Sequence, residues 1–307
     1  MPVILLEVMA MAQQLYKATH LIINGTTIPF MEMGIDPKIE KMALWHGSYG
    51  SPAWLSNQGQ KPMKTLVTPA IASTITALGG IRGAVIGANV TMYLGQWSGL
   101  AQAAGSVHKR AVINDGLVVV RGIRAPGDKY ATMALDVYAI SDGTNAPMII
   151  EEGVAAPTET LLDELFFGGP MKLGATFYET RSWDYNANPK VDVEFQSGRG
   201  WPTRVDLTSD EPVFSADTTD PDLIADLTLA GSAVADAYFF LRRATAGGLR
   251  VADATETHIS LRVPAGFGCP GETRGTAPEK VSQAVTVNAR YDGTNAPVIP
   301  DVTAAVA

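Results

Sequence analysis

The chain of 307 residues contains a single cysteine, Cys269. One thiol cannot form a disulfide within the chain, and a zinc site built from several cysteines is excluded for the same reason. A lone cysteine is more often a small packing residue than a nucleophile. Folding of this chain therefore does not require an oxidising compartment.

Charged residues are also scarce, because Asp, Glu, Lys and Arg make up 18% of the chain whereas hydrophobic residues make up 46%. This composition predicts a folded chain, and its weakly charged surface favours contact with other subunits. Residues 1–157 hold eleven basic and ten acidic residues, whereas residues 158–307 hold twelve and twenty-one. The net charge of −8 therefore lies in the second half. The sequence has no basic run, which argues against binding to nucleic acid through its phosphates.

Residues 66–107 contain one charge, Arg82, so a membrane helix has to be considered. Pro69, several glycines and many polar residues interrupt the segment, and we expect a buried strand pair and a subunit-facing surface without a membrane span. The first ten residues are apolar but include Glu7 and no basic start, which makes them a poor signal peptide. Translation could start at Met1, Met9 or Met11.

Motifs of known catalytic chemistry are missing, including the nucleophile elbow, the phosphate-binding loop, the dinucleotide-binding loop and the zinc-protease helix. The four histidines have no ligand spacing: His20, His46, His108 and His258. We therefore expect no enzyme and no cofactor.

Two weaker patterns leave binding sites open. Asp217, Asp220 and Asp222 form the densest acidic cluster and are weak candidates for a cation site, with ordinary loop chemistry around Pro221 as the alternative. The five tryptophans could stack on a sugar, although tryptophan is also common in cores and at subunit contacts: Trp45, Trp54, Trp97, Trp183 and Trp201.

The most informative feature that the sequence does have is a repeated hexapeptide, DGTNAP, which occurs at residues 142–147 and again at residues 292–297. Its turn-forming positions are Asp142, Gly143, Asn145 and Pro147 in the first occurrence and Asp292, Gly293, Asn295 and Pro297 in the second. The tripeptides at 50–52 and 200–202 keep the same spacing. This spacing predicts a tandem duplication, with one domain over residues 11–157 and a similar one over residues 158–307.

Strand patterns dominate both halves. The pattern predicts a hairpin at residues 20–28, a second hairpin around residues 112–120, and strands at 133–140, 190–195, 258–263 and 284–289. Helices are predicted at residues 98–110, 158–166 and 232–243, the last from apolar residues at i, i+4 and i+7. The fold class expected is mainly β, with two tandem, similar β-sandwich or barrel domains that each contain about one α-helix.

This chain resembles the tail tube (major tail) proteins of long-tailed bacteriophages. The features that carry the resemblance are the two copies anchored at residues 142–147 and 292–297, one helix per copy, and the glycine-rich apolar segment. No short diagnostic motif supports it, so the resemblance is architectural and covers nearly the whole chain.

The resemblance implies a virion protein whose domains join their strands in rings, and whose rings stack into a hollow tube that conducts DNA. Two fused domains imply a homotrimer with pseudo-sixfold symmetry, other phage tail proteins as partners, and no specific DNA binding. The location implied is the virion tail, with assembly in the host cytoplasm. Two alternatives stay open: a two-domain β-sandwich adhesin or carbohydrate-binding module, and another virion role such as a capsid or decoration protein.

Overall fold

The structure is a computed structural model that describes residues 15–36, 39–45, 52–60, 63–86, 90–98, 101–113, 115–155, 164–196, 200–220, 223, 231–245, 248–274 and 282–306. Strands make up most of the described residues, so the prediction of a mainly β fold is confirmed.

The first half of the chain contains thirteen strands and one helix among its described residues. The strands are β1 (Leu15–Ile23), β2 (Thr26–Ile28), β3 (Glu32–Asp36), β4 (Ile39–Trp45), β5 (Pro52–Gln60), β6 (Met63–Thr68), β7 (Gly83–Ile86), β8 (Val90–Ser98), β9 (Ala101–Gln102), β10 (His108–Ile113), β11 (Asp115–Pro126), β12 (Thr132–Ile140) and β13 (Met148–Val154). The helix, α1, spans Ile71–Leu78 between β6 and β7.

The second half contains ten strands in its described part. They are β14 (Leu165–Leu173), β15 (Thr176–Tyr178), β16 (Thr180–Asn186), β17 (Lys190–Glu194), β18 (Arg204–Ser209), β19 (Val213–Thr218), β20 (Ser232–Ala244), β21 (His258–Arg274), β22 (Ser282–Ala289) and β23 (Ile299–Ala304).

Two large antiparallel sheets and two separate hairpins contain all of these strands. A six-stranded sheet follows the order β13-β10-β8-β1-β2, with β9 on β8. A 13-stranded sheet follows the order β15-β14-β20-β21-β22-β19-β16-β11-β12-β6-β3, with β23 on β21 and β7 on β11. The hairpins β4–β5 and β17–β18 form sheets of their own. One continuous apolar core includes residues of both large sheets, such as Leu21 and Leu135, together with Ile71 of α1.

Several strand pairings of the second half repeat those of the first half with a shift of 150 in residue number, although the β20–β21 register does not correspond to β8–β10 at that shift. Thr68 pairs with Met133 between β6 and β12, and Thr218 pairs with Gln283 between β19 and β22. The same shift relates four further strand contacts: Leu21–Ile28 to Met171–Tyr178, Met33–Leu66 to Trp183–Ala216, Gly116–Ala139 to Gly266–Ala289, and His108–Val154 to His258–Ala304.

Irregular features recur at the same shift. The hairpin β4–β5 changes register between Glu40 and Lys41, and the hairpin β17–β18 changes register between Lys190 and Val191. Thr68 Oγ1 accepts a hydrogen bond from the amide of Ala70 at 3.0 Å, and Thr218 Oγ1 accepts one from the amide of Asp220, also at 3.0 Å. Register and hydrogen bonding thus follow one plan in both halves.

Several predicted strands are confirmed. The hairpin β1–β2 turns at Asn24 and Gly25, whose φ angles of 48° and 79° suit the two-residue turn that Asn-Gly favours. The predicted strands at 133–140, 190–195, 258–263 and 284–289 lie within or overlap β12, β17, β21 and β22.

The helix predicted at residues 232–243 is wrong, because this segment is the strand β20 between β14 and β21. The apolar residues of this segment fit both the helical period and the alternation of a strand. Val234 and Leu241 have helical spacing, but Ala237, Phe239 and Leu241 alternate and are buried. Adjacent aromatic residues favour a strand, and pairing on both sides decides between the two.

Two further helix predictions also fail where the structure describes them. Residues 98–110 contain the ends of β8 and β10 and the short strand β9, and Gly105 has a φ of 86° that no helix tolerates. The helix predicted at 158–166 falls outside the described residues up to 163, and its last two residues begin β14.

The observed helix lies in the glycine-rich segment instead. Its residues Ile71, Ile75 and Leu78 are buried, and Gly79 ends it in a left-handed conformation at a φ of 68°. In the corresponding part of the second half, the structure describes Leu223, which is helical and buried. Among the described residues, no helix has the length and apolarity that crossing a membrane requires.

The hairpin predicted around residues 112–120 is wrong as well. Strand β10 pairs with β8 and β13, whereas β11 pairs with β12, β16 and β7, so the two strands lie in different sheets. Their counterparts in the second half are the two parts of the single strand β21. Asp115 and Gly116, which were expected in the turn of this hairpin, are instead the first residues of β11 and pair with Ile140 and Ala139 of β12.

Candidate functional site: the junction between the two halves

The two halves meet where β11 of the first half pairs with β16 of the second. Five residue pairs form this contact, from Gly122–Asn186 to Pro126–Ser182. Backbone hydrogen bonds extend it at both ends, from Ala187 N to Arg121 O at 3.0 Å and from Gly127 N to Arg181 O at 2.8 Å. A single sheet therefore runs through both halves.

Glycines allow the backbones to approach closely at this junction. A Cβ atom on Gly122 would lie 2.4 Å from the carbonyl oxygen of Tyr185. A Cβ atom on Gly168 would lie 2.5 Å from the carbonyl oxygen of Ala125 in β11. Side chains at these positions would push the strands apart, so the sequence has to keep these positions small.

The aromatic side chains of β16 pack against those of β19 and β20 in the second half. Trp183 is fully buried and donates a hydrogen bond from Nε1 to the carbonyl oxygen of Phe240 at 3.0 Å. Phe214 stacks on Phe239 with 4.2 Å between ring centroids, and Tyr185 lies 4.9 Å from Phe214. Burial raises the pKa of Tyr185, with a smaller contribution from the charge of Asp210. Aromatic packing and hydrogen bonding within the second half therefore hold β16, the strand that forms the junction, in place.

Side chains also connect the halves. Arg82 binds Asp210 through two hydrogen bonds of 2.7 Å each, a bidentate geometry that fixes orientation as well as distance. The amide of Ser73 in α1 donates to Glu164 Oε1 at 3.0 Å.

A second contact lies on the face of the sheet, where the hairpin β17–β18 covers β11 and β12. Leu117, Val119 and Val205 form a small buried cluster with Val193 and Leu207 packed against it, together with Tyr138, Ile140 and Val191. At one edge of this contact, the amide of Ser141 donates to Pro202 O at 2.8 Å. The second half therefore contributes both the strand β16 and the hairpin β17–β18 to its contact with the first half.

No described strand or hairpin covers the surfaces on β3 and β21 that correspond to this junction. Strand β3, the counterpart of β16, ends the 13-stranded sheet, so only one of its edges pairs with a described strand. Phe267, the counterpart of Leu117, is 44% exposed, whereas Leu117 is 4% exposed. The hairpin β4–β5, the counterpart of β17–β18, pairs with no other described strand.

The repeated hexapeptides form the same turn. The Asp142 carboxylate accepts from the amides of Thr144 and Asn145 at 2.8 and 2.7 Å, and from the Asn145 side chain at 2.8 Å. The Asp292 carboxylate makes the same three bonds within its own turn, at 2.7, 2.6 and 2.8 Å.

These bonds favour the charged form of both carboxylates. They lower the pKa of Asp142 below its usual value, mainly through the Asn145 amide, and the pKa of Asp292 to about 2, mainly through the Asn295 side chain. Gly143 and Gly293 have φ angles of 96° and 98°, and Pro147 and Pro297 follow each turn. The motif is thus a self-contained Asx turn whose side chains bond to the turn itself.

Two of the three acidic candidates for a cation site lie in the described part of the chain, at the end of β19 and just after it. Asp217 lies in β19 between Ser182 and Ala284, and the amide of Asp220 bonds to Thr218 at the end of that strand. Asp222 lies outside the described residues. Across the described part of the chain, no three His, Cys, Asp or Glu residues are placed to hold a metal ion.

Two of the histidines have a structural role in the described core. His108 Nδ1 accepts from the amide of Gln96 at 3.0 Å, and His258 Nδ1 accepts from the amide of Arg243 at 2.9 Å. These residues are counterparts at the shift of 150, and both are buried. His20 is also buried, and His46 lies outside the described residues.

Arg242 in β20 is a buried charged residue that is 6% exposed. Its guanidinium binds Glu179 through two bonds of 3.0 Å and Asp253 at 3.0 and 2.9 Å. Burial disfavours its charge, but the bonds to both carboxylates outweigh burial and raise its pKa above the ordinary value. This cluster stabilises the second half and leaves little room for a ligand.

Sequence reasoning did not find the junction, because contacts between distant strands leave no local pattern. The shift between the hexapeptides was the only signal, since it relates each junction residue to a counterpart. In comparisons with known proteins, no family model matches this chain, and no curated protein matches its sequence.

Proposed function

We propose that this chain is a virion structural protein, the tail tube subunit of a long-tailed bacteriophage, built from two fused copies of one domain. Three chains would form a ring with pseudo-sixfold symmetry, and stacked rings would form a hollow tube that conducts DNA. The observation that carries the proposal is the β11–β16 junction, since the counterparts of its two sides, on β21 and β3, pair with no described strand at the corresponding edges.

A contact with two different sides leads to one of two assemblies. When the same contact is repeated from chain to chain, it gives a closed ring or an open filament, depending on the rotation between neighbours. An uncovered sheet edge is an aggregation hazard, and a ring removes that hazard because every edge finds a partner. The repeated pairing plan supports a ring because each half then occupies an equivalent place.

Composition supports the same role. The weak overall charge favours extensive subunit contact, and the acidic second half suits a conduit through which DNA passes without binding. In this proposal the chain has no catalytic group and no cofactor. Its partners are further copies of itself and other tail proteins, it is assembled in the host cytoplasm, and it functions in the virion tail.

Negative-stain electron microscopy of the purified chain, together with light scattering, tests the proposal. We expect rings that contain three chains, and rods of uniform width at high concentration. Monomers at every concentration and ionic strength would refute it.

One observation favours the carbohydrate-binding alternative, namely that Trp201 is 37% exposed beside Pro202. An exposed indole can stack on a sugar ring. In that case the chain would stay monomeric and bind a glycan, and the Trp201→Ala variant would lose the binding. If glycan arrays give no signal for the wild-type chain, this alternative fails.

A further inference from the structure

The contact between the halves has two parts, and for each part the chain has counterpart surfaces that no described strand or hairpin pairs with or covers. The first part is the strand pair β11–β16, and the second is the hairpin β17–β18 on the face of β11 and β12. Shifting both parts by 150 gives the surfaces of a second contact, which one chain cannot make with itself. A neighbouring copy of the chain can make it.

The two strand edges needed for such a contact are both present. Strand β3 pairs with β6 on one edge, and no described strand lies on its other edge. Strand β21 pairs with β20 only as far as Gly268, so residues 269–274 lack a described partner on that side. In the first half, the equivalent side of β11 pairs with β7 as far as Val119 and then with β16 from Gly122 onward.

The register of the second contact follows from the first. Within the chain, Ile123 pairs with Tyr185 and Arg124 pairs with Asp184. The corresponding pairs are Thr273 with Ile35 and Arg274 with Gly34. Both β11 and β21 change register before these residues, and beyond the change their pairing with β12 and β22 again corresponds at a shift of 150.

One position sets where the contact begins. Gly122 corresponds to Glu272, and a Cβ atom at Gly122 would lie 2.4 Å from the facing carbonyl oxygen. A residue with a side chain cannot take the same close approach. The second contact therefore starts at Thr273, one residue later than the contact within the chain.

The covering hairpin has a matching target. Leu117 and Val119, which lie under β17–β18, correspond to Phe267 and Cys269 on β21. Phe267 is 44% exposed and Cys269 is partly exposed, so this part of β21 lacks the cover that the first half has. The hairpin β4–β5 carries Ala43 and Leu55 at the positions of Val193 and Val205.

From these correspondences we propose that Thr273 and Arg274 of one chain pair antiparallel with Ile35 and Gly34 of the next chain, while the hairpin β4–β5 of that next chain covers Phe267. This inference rests on the proposed function, because it supplies the contact by which the three-chain ring closes. To the proposed function it adds the register of the contact between neighbouring chains and the surface around Phe267 that the hairpin β4–β5 covers.

Disulfide trapping tests the register in the full-length chain. The variant carries Ile35→Cys and Thr273→Cys, with Cys269→Ala to remove the natural thiol. Directly paired residues in antiparallel strands lie about 5.5 Å apart at most between Cα atoms, which is within disulfide range. The control carries Glu32→Cys, Thr273→Cys and Cys269→Ala, and its thiols lie three residues out of register, about 10 Å apart along the strand.

After mild oxidation, denaturing gels without reductant should show two-chain and three-chain bands for the first variant, with no larger product, and one-chain bands for the control. Rings visible by microscopy without this cross-link would overturn the inferred contact and leave the tube proposal intact. A cross-linked ladder that continues past three chains would support the contact and refute the three-chain ring. Monomers with no cross-link would refute both.

Discussion

Leu117 and Phe267 occupy corresponding positions on β11 and β21, but among the described elements a hairpin covers Leu117 and none covers Phe267. Replacing each of them with alanine therefore separates the stability of the chain from its assembly. Leu117→Ala removes a side chain that is 4% exposed, and a buried Leu→Ala change costs about 2–5 kcal/mol of unfolding free energy. The low end, about 2–3 kcal/mol, applies here because the cluster is small and lies under a hairpin that can close on it.

Phe267→Ala has a smaller effect on the isolated chain. The residue is 44% exposed and its ring lies against Gly231, so roughly half of the transfer free energy of a buried phenylalanine is lost, about 1 kcal/mol, with no enclosed cavity. In the proposed ring the same change also removes the part of the side chain that the neighbouring chain covers, about 1 kcal/mol per contact, or about fivefold in the equilibrium constant of that contact. The concentration needed for ring formation should rise at least about fivefold.

Urea unfolding followed by tryptophan fluorescence, on a chain diluted until it is monomeric, measures the first effect. Sedimentation velocity over a concentration series measures the second. We expect Leu117→Ala to lower the urea midpoint more than Phe267→Ala, and Phe267→Ala to shift assembly more. Equal losses of stability in the dilute chain, or ring formation by Phe267→Ala at the wild-type concentration, would refute the assignment of Phe267 to a subunit contact.

Three further predictions concern the turn, the buried charge and the junction. The pKa of Asp292 is about 2 in the folded chain against an ordinary 3.8, so its contribution to stability is present above about pH 4 and lost as the pH falls toward 2. The difference in urea midpoint between the wild type and Asp292→Asn should therefore shrink over that window. A constant difference would contradict this prediction. Arg242→Met should lower the free energy of unfolding by about 1–3 kcal/mol, because Glu179 loses both of its bonds to the guanidinium and Asp253 keeps only its longer contact with Arg250 at 3.3 Å. Arg242→Lys should recover part of the loss, and an Arg242→Met variant with wild-type stability in urea titration would show that the cluster adds nothing. Gly168→Ala should lower the melting temperature by several degrees because its Cβ would lie 2.5 Å from a carbonyl oxygen of β11. The control Gly200→Ala has open space around the new Cβ and should melt like the wild type. Equal melting temperatures for the two variants would contradict the close approach at Gly168.

The sequence predicted the elements whose signal is local. Asn24-Gly25 between apolar runs indicated the hairpin β1–β2, and the alternation around Val191 and Val193 indicated β17. The helix α1 was missed because Ile71, Thr74 and Ile75 are β-branched and disfavour a helix, although Pro69 and Gly79 mark its two ends. Packing of its apolar face against the core outweighs that propensity.

The candidate site could not be predicted in the same way. The pairing of Gly122 with Asn186 joins strands that are distant in the chain, and nothing near either residue indicates the other. Strand β20 was misread because its apolar residues satisfy two periods, and only its neighbours β14 and β21 decide between them. Pairing between strands that are distant in the sequence therefore explains both the wrong helix prediction for β20 and the failure to predict the junction.

Strand β21 runs unbroken over His258–Arg274 in the second half, whereas the first half divides the same path between β10 and β11 in separate sheets. A continuous strand transmits load through the backbone hydrogen bonds of one ladder, so that half should resist shear as a unit. The first half should yield earlier, because no described ladder joins its two sheets. If the chain forms the proposed tube, we expect the wall to alternate stiff and compliant sectors around its circumference, and to bend most easily toward the compliant ones.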